Sequence, residues 1–195
     1  MQKLVIASHN PGKVAEFKKL LADWPFEIIG LADLNIEDDV EETGKTFQDN
    51  ALLKADFFHQ LTGLPTLADD GGMEIDALNG EPGVKSRRWR GYTMTDQEMV
   101  DYTLKKLQGV PTPDRTCRLK VVLCLIMPNQ DPIFTEGSIE GVMTDKQELP
   151  ISEGYPFRSI FRVTKLNKLY GELTDEEHNQ VSQRLKALNK LRTQL

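Results

Sequence analysis

The chain opens with an apolar run, Leu4-Val5-Ile6-Ala7. Six polar or turn-forming residues follow, Ser8-His9-Asn10-Pro11-Gly12-Lys13, and then an amphipathic stretch carries Val14, Phe17, Leu20 and Leu21. A strand thus feeds a tight turn that opens a helix, and such a pair must bury one face of each element in a layered α/β core. The turn also carries chemistry. A helix start presents unpaired backbone N–H groups and the positive end of a dipole, Gly12 permits close approach, and Lys13 adds a mobile charge, so phosphate is a natural guest. The same residues also fit an ordinary turn in which Pro11 pre-sets the first helical residue and Lys13 is solvated.

Further along, Glu27-Ile28-Ile29-Gly30 reads as a second strand, followed by an acidic loop over residues 37–44. A long helix is expected from an N-cap at Thr46, with Asp49 in its first turn, to a stop at Thr62-Gly63. Asn50 and Lys54, four apart, share one polar face of it. Pro65-Thr66-Leu67-Ala68 reads as a short buried strand that ends in Asp69-Asp70-Gly71-Gly72, with a second strand from Met73 behind that turn. Thr95 and Glu98 form a capping box for a third helix, and Thr174 with Glu177 for a last helix whose stripe is Val181, Leu185, Leu188 and Leu191. Residues 118–127 and 132–142 read as a long hairpin. Strands alternate with helices early and pair directly later, so the fold class is α/β with a central mixed β-sheet flanked by helices.

At 195 residues the chain is long enough for one domain, with two lobes expected. Its 24 basic and 30 acidic residues leave a net charge of −6, which argues against a broad nucleic-acid or anionic-membrane surface but allows a small anion bound with a metal ion. No apolar stretch approaches the ~20 residues of a membrane span, and the start carries no secretory pattern, so a cytoplasmic protein is expected. Cys117 and Cys124 fall in one expected strand, roughly 23 Å apart and on opposite faces, so they read as reduced core residues.

Asp69 and Asp70, at the end of a strand, stand where α/β proteins place groups that face a ligand. Two adjacent carboxylates repel; Mg²⁺ relieves the repulsion and leaves one free to activate water. The alternative is that one caps the turn and the other is solvated. Glu42 in the acidic loop offers another oxygen ligand, and Asn50 and Lys54 could reach phosphate oxygens.

Four segments, Ser8-His9-Asn10-Pro11-Gly12-Lys13, Glu41-Glu42-Thr43-Gly44-Lys45-Thr46-Phe47 with Asn50 and Lys54, Ala68-Asp69-Asp70-Gly71-Gly72, and Gly80-Glu81-Pro82-Gly83-Val84, resemble in order and spacing the inosine triphosphate pyrophosphatases. The resemblance implies an elongated α/β fold, usually a homodimer, that hydrolyses inosine and xanthosine triphosphates and their deoxy forms to the monophosphate and pyrophosphate with Mg²⁺. It implies that Ser8, His9, Asn10, Pro11, Gly12 and Lys13 bind the triphosphate, that Asn50 and Lys54 contact phosphates, and that Glu42 and Asp70 hold the metal. Asp70 would accept the proton of the attacking water with Asp69 assisting, and Gly71 stands where many relatives have Ser.

The base-reading segment departs from that pattern. The family's Gly-Phe-Gly-Tyr/Trp-Asp-Pro is here Gly154-Tyr155-Pro156-Phe157-Arg158-Ser159, so aromatic side chains remain while an Asp has become Arg158. Lys168 aligns with the family Lys, and Ser182-Gln183-Arg184 replaces Ser-His-Arg. Tyr155, Pro156, Phe157, Arg158, Lys168, Gln183 and Arg184 are thus the expected base-side residues, and the phosphate end is better retained than the base end. Changed base specificity, or a silent nucleotide-binding module, are the competing readings. Arg87-Arg88-Trp89-Arg90 falls where the family places structural or cleft-lining residues.

Overall fold

The computed structural model describes residues 1–195 and contains one seven-stranded sheet in the order β2-β1-β3-β4-β5-β6-β7. β1 (Gln2–Ile6) lies parallel to β2 (Phe26–Gly30), in register from Gln2 opposite Phe26 to Ile6 opposite Gly30, and parallel to β3 (Thr66–Ile75). Parallel neighbours need a crossover, and the intervening sequence supplies one each time, α1 (Pro11–Leu20) and α2 (Phe47–Thr62). β4 (Thr116–Ile126) and β5 (Ile133–Met143) are sheet neighbours joined by a short link, close to the expected hairpin boundaries. β5 pairs antiparallel with β6 (Phe161–Val163), and β6 with β7 (Lys168–Leu169), so the sheet is mixed as expected.

The chain divides into two compact units. The first comprises Met1–Asp70, Val121–Glu136 and Ala187–Leu195; the second comprises Gly71–Lys120 and Gly137–Lys186. The core of the first gathers Leu4 and Ile6 of β1, Phe17 of α1, Leu67 of β3 and Val121, Leu123 and Leu125 of β4, the last three at the two-residue spacing that puts them on one strand face. The core of the second gathers Met73 and Ile75 of β3, Cys117 of β4, Ile139 and Met143 of β5, and Phe161 and Val163 of β6. Gly141 of β5 lies against Phe161: a Cβ there would come within 2.3 Å of both the ring and the Arg162 carbonyl. Both cysteines are free and buried, and burial pushes the Cys124 thiol up to about 12 and Cys117 higher still, which leaves them unreactive.

Capping chemistry sets the helix ends. The Thr46–Asp49 and Thr95–Glu98 boxes open α2 and α3 (Asp96–Lys106), and Gly63, at φ +66°, closes α2. Two expectations change. Asp69-Asp70-Gly71-Gly72 is no turn: β3 runs through it unbroken, anchored by Leu67 in one core and by Met73 and Ile75 in the other, and both glycines keep extended backbone. The last helix is two helices, α4 (Asp175–Val181) and α5 (Gln183–Arg192). Ser182, at ψ 119°, leaves the helical region, and its Oγ accepts from Leu185 N at 3.1 Å, so it caps α5 as Thr174 caps α4.

Candidate active site

The start of α1 is capped from within its own loop. Asn10 is the N-cap of α1, and its Oδ1 accepts from the N–H groups of Gly12 at 2.9 Å and Lys13 at 3.2 Å, while Pro11 has no N–H. The donors at this helix start are therefore paired within the turn. What the loop presents is side-chain chemistry. Lys13 Nζ sits 2.9 Å from Asp69 Oδ1, Ser8 Oγ accepts from Asn10 N at 3.2 Å, and the exposed His9 ring makes a 2.8 Å contact from Nε2 to the Asp38 carbonyl, which ties this loop to the acidic one.

Because β3 continues through them, Asp69 and Asp70 project to opposite strand faces. Asp69 meets Lys13, and Asp70 meets α2. Asn50 donates from Nδ2 to Asp70 Oδ2 at 3.0 Å and accepts at Oδ1 from Gly44 N at 2.7 Å, so one carboxamide joins the end of the acidic loop to the Asp70 carboxylate. Lys54, one turn along the same face of α2, lies 2.5 Å from Glu42 Oε1 and 3.5 Å from Asp70 Oδ1. The side chains of Lys54 and Asp70 are each 12% exposed, and that of Asp69 2%.

Burial dominates the electrostatics of Asp70 and raises its pKa; Glu42 adds to the rise, while Lys54, Asn50 and Lys13 pull the other way without cancelling it. For Lys54, burial acts to lower the pKa, but Asp70, Asp69 and Glu42 together outweigh it and hold the ammonium above the ordinary lysine value. The cluster is a buried carboxylate whose charge is only partly compensated, beside a lysine fixed as a cation. No three or more His, Cys, Asp or Glu side chains gather in ligating geometry. Glu42 and Asp70 do flank one cation, the Lys54 ammonium, and Mg²⁺ commonly takes one or two protein carboxylates and completes its shell with water and substrate phosphate, so these residues suit an ion shared with a substrate.

The second unit holds an apolar cavity of about 190 Å³ whose walls include Gly71, Tyr155, Pro156, Phe157 and Arg158. Gly71 follows Asp70 directly in β3. The structure thus gathers five of the expected base-side and substrate residues in one place. Lys168, Gln183 and Arg184 are not in those walls: Lys168 pairs with Glu177 at 2.5 Å, and Gln183 is buried at the start of α5. Sequence reasoning gave no individual role to Gly44, Asp96 or Tyr170. Asp96 accepts from Gly154 N at 2.6 Å and pairs with Arg87 at 2.8 Å, bracketing two wall residues, and Tyr170 is itself a wall residue. In sequence, Asp96 is one of two acids in the first turn of α3 and carries no other signal, and Tyr170 sits in a 3₁₀ turn with no periodic signal.

A protein-family model described as the Ham1 family matches residues 4–194. The dITP/XTP pyrophosphatase of Bacillus subtilis is 37% identical, covering 98% of this chain and 96% of its own, and that of Pectobacterium atrosepticum is 42% identical with the same coverage. Among solved structures, a HAM1 protein from Coxiella burnetii superposes with a TM-score of 0.87 at 34% identity over 100% of both chains, and the Staphylococcus aureus Ham1 protein with 0.86 at 35% over 98% of this chain and 97% of its own. The match spans both units and every strand of the sheet, in agreement with the family resemblance of the four motifs, and the chain belongs to the Ham1 family.

Proposed function

We propose that the chain is a Mg²⁺-dependent nucleoside triphosphate pyrophosphohydrolase that converts non-standard purine nucleotides, ITP, XTP and dITP, to the monophosphate and pyrophosphate. The observation that carries this reading is the buried Asp70 carboxylate, held on one oxygen by Asn50 and faced on the other by Lys54, with Glu42 beyond the same ammonium. The activity for which the Bacillus and Pectobacterium relatives are named, dITP/XTP pyrophosphatase, supports the same substrate class.

Glu42 and Asp70 would hold the divalent cation, which supplies charge stabilisation at the phosphate oxygens and acidifies water. Asp70 takes the proton of the attacking water. The Asn50 hydrogen bond occupies Oδ2 and leaves Oδ1, the oxygen that faces Lys54, to receive it. Lys54 and Lys13 supply positive charge to phosphate oxygens, Asp69 positions Lys13, and Ser8 to Gly12 shape the loop around them. In the second unit, Tyr155 and Phe157 offer flat apolar faces for a base. No helix is long and apolar enough to cross a membrane. The same reading extends to a homodimer in the cytoplasm; sedimentation of the purified chain tests the dimer.

Replacing Asp70 with Asn keeps shape and removes basicity. Turnover should fall by roughly 10²–10⁴-fold with the fold intact, and near-normal turnover would remove Asp70 as the proton acceptor.

A further inference from the structure

The cavity of the second unit has two charged wall residues, Arg87 and Arg158, and no acid. Their situations differ. Arg87 is matched by Asp96 at 2.8 Å. Arg158 lies over the Tyr155 ring at 4.2 Å and near the Tyr170 ring at 5.5 Å, and its Nε is buried with no hydrogen-bond partner. A guanidinium against an aromatic face keeps its N–H groups in its own plane, where they can meet another flat group. It is also donor-only: five N–H groups and no acceptor. An apolar cavity with a buried, unmet donor suits a planar aromatic ligand that brings acceptors.

We infer that Arg158 selects the base, taking a purine through the acceptor pair formed by its 6-oxo oxygen and N7 and rejecting a 6-amino purine, which puts a donor where the guanidinium also donates. This rests on the nucleotide pyrophosphatase reading above and adds to it the edge of the base that is read. The pairing is the same forked contact by which arginine reads the O6 and N7 of guanine, whereas adenine offers N7 beside an amino group. Guanine carries the same edge as hypoxanthine, so Arg158 separates 6-oxo from 6-amino purines and does not separate ITP from GTP.

The test compares wild type with Arg158→Ala and Arg158→Gln. The kcat/KM is measured for ITP, GTP and ATP, and binding of IMP and AMP is measured by calorimetry. Arg158→Ala should lower the ITP-to-ATP ratio by roughly 10- to 100-fold, the worth of one forked contact, and leave the ITP-to-GTP ratio unchanged. Arg158→Gln should move preference toward ATP, because a carboxamide both accepts from the adenine amino group and donates to N7. A merely structural role would lower all three substrates together. An equal loss on ITP and ATP, or an unchanged ratio in both variants, overturns the inference. If wild type hydrolyses none of the triphosphates, the pyrophosphatase reading fails by itself. The IMP-to-AMP binding ratio then decides the role of Arg158: its collapse in Arg158→Ala sustains that role, and its persistence overturns it.

Discussion

Asn50 Nδ2 donates to Asp70 Oδ2 across 3.0 Å, twenty residues away in sequence, while its Oδ1 receives the Gly44 N–H at 2.7 Å. Asn50 is 2% exposed and spends both ends of its carboxamide in the site. Asn50→Ala leaves the Gly44 donor and a buried carboxylate oxygen without a partner. A hydrogen bond to a charged group contributes about 1.5–3 kcal/mol, so kcat/KM should fall by roughly 10- to 100-fold. Steady-state kinetics on the best substrate check this; a loss under twofold would show that the link does not support the reaction.

Gly44 approaches this carboxamide closely. A Cβ there would lie 2.5 Å from Asn50 Oδ1 and 2.6 Å from the Asp49 Cβ, and both belong to the capped first turn of α2, which has little room to yield. Gly44→Ala should destabilise by about 1–3 kcal/mol and depress activity as Asn50→Ala does. Thermal melts together with kinetics read both effects.

How much of this was legible in the chain depends on the range of the interaction. Thr46, Asp49, Thr95, Glu98, Thr174 and Glu177 act within one helical turn, and their roles follow from spacing alone. The Asp69–Asp70 pair was found by residue type but assigned the wrong local structure. Gly-Gly suggests a turn, and only the two flanking cores, assembled from distant segments, pull the strand straight through. That continuity sends the two acids to different partners, Lys13 and Asn50. Ser182 was hidden inside an unbroken leucine stripe, because a single serine signals a cap only when the backbone before it leaves the helix. The Arg158 guanidinium over Tyr155 and Tyr170 depends on a tertiary contact that sequence spacing does not encode.

Asn10 offers a separate measurement of stability. Its side chain accepts from two N–H groups of α1, so Asn10→Ala should cost about 1 kcal/mol, a Tm decrease of roughly 2–4 °C for a chain of this size, while Asn10→Asp should retain the cap. Equal melting of all three proteins would contradict a capping role.

Asp70 links activity to pH-dependent stability. Burial, the largest influence, raises its folded-state pKa above the ordinary carboxylate value. A group with a raised folded-state pKa favours folding fully below the unfolded value, near 4, and loses that contribution as pH rises through the folded value. Above the folded-state value, without metal, the ionised carboxylate therefore lowers stability. Asp70→Asn should raise the Tm of the metal-free protein at pH 7.5, and the gain should shrink as pH falls toward 4. A Tm below wild type at pH 7.5 would mean that the charge of Asp70 is net stabilising beside Lys54.

The most direct test is the product analysis of ITP, XTP and dITP against the standard nucleoside triphosphates, with Mg²⁺ and with chelator. Pyrophosphate and monophosphate should be released, faster from the 6-oxo non-standard purines, and the reaction should be lost when the metal is removed. Orthophosphate as the first product, equal rates on all bases, or full activity under chelation would contradict the proposed function.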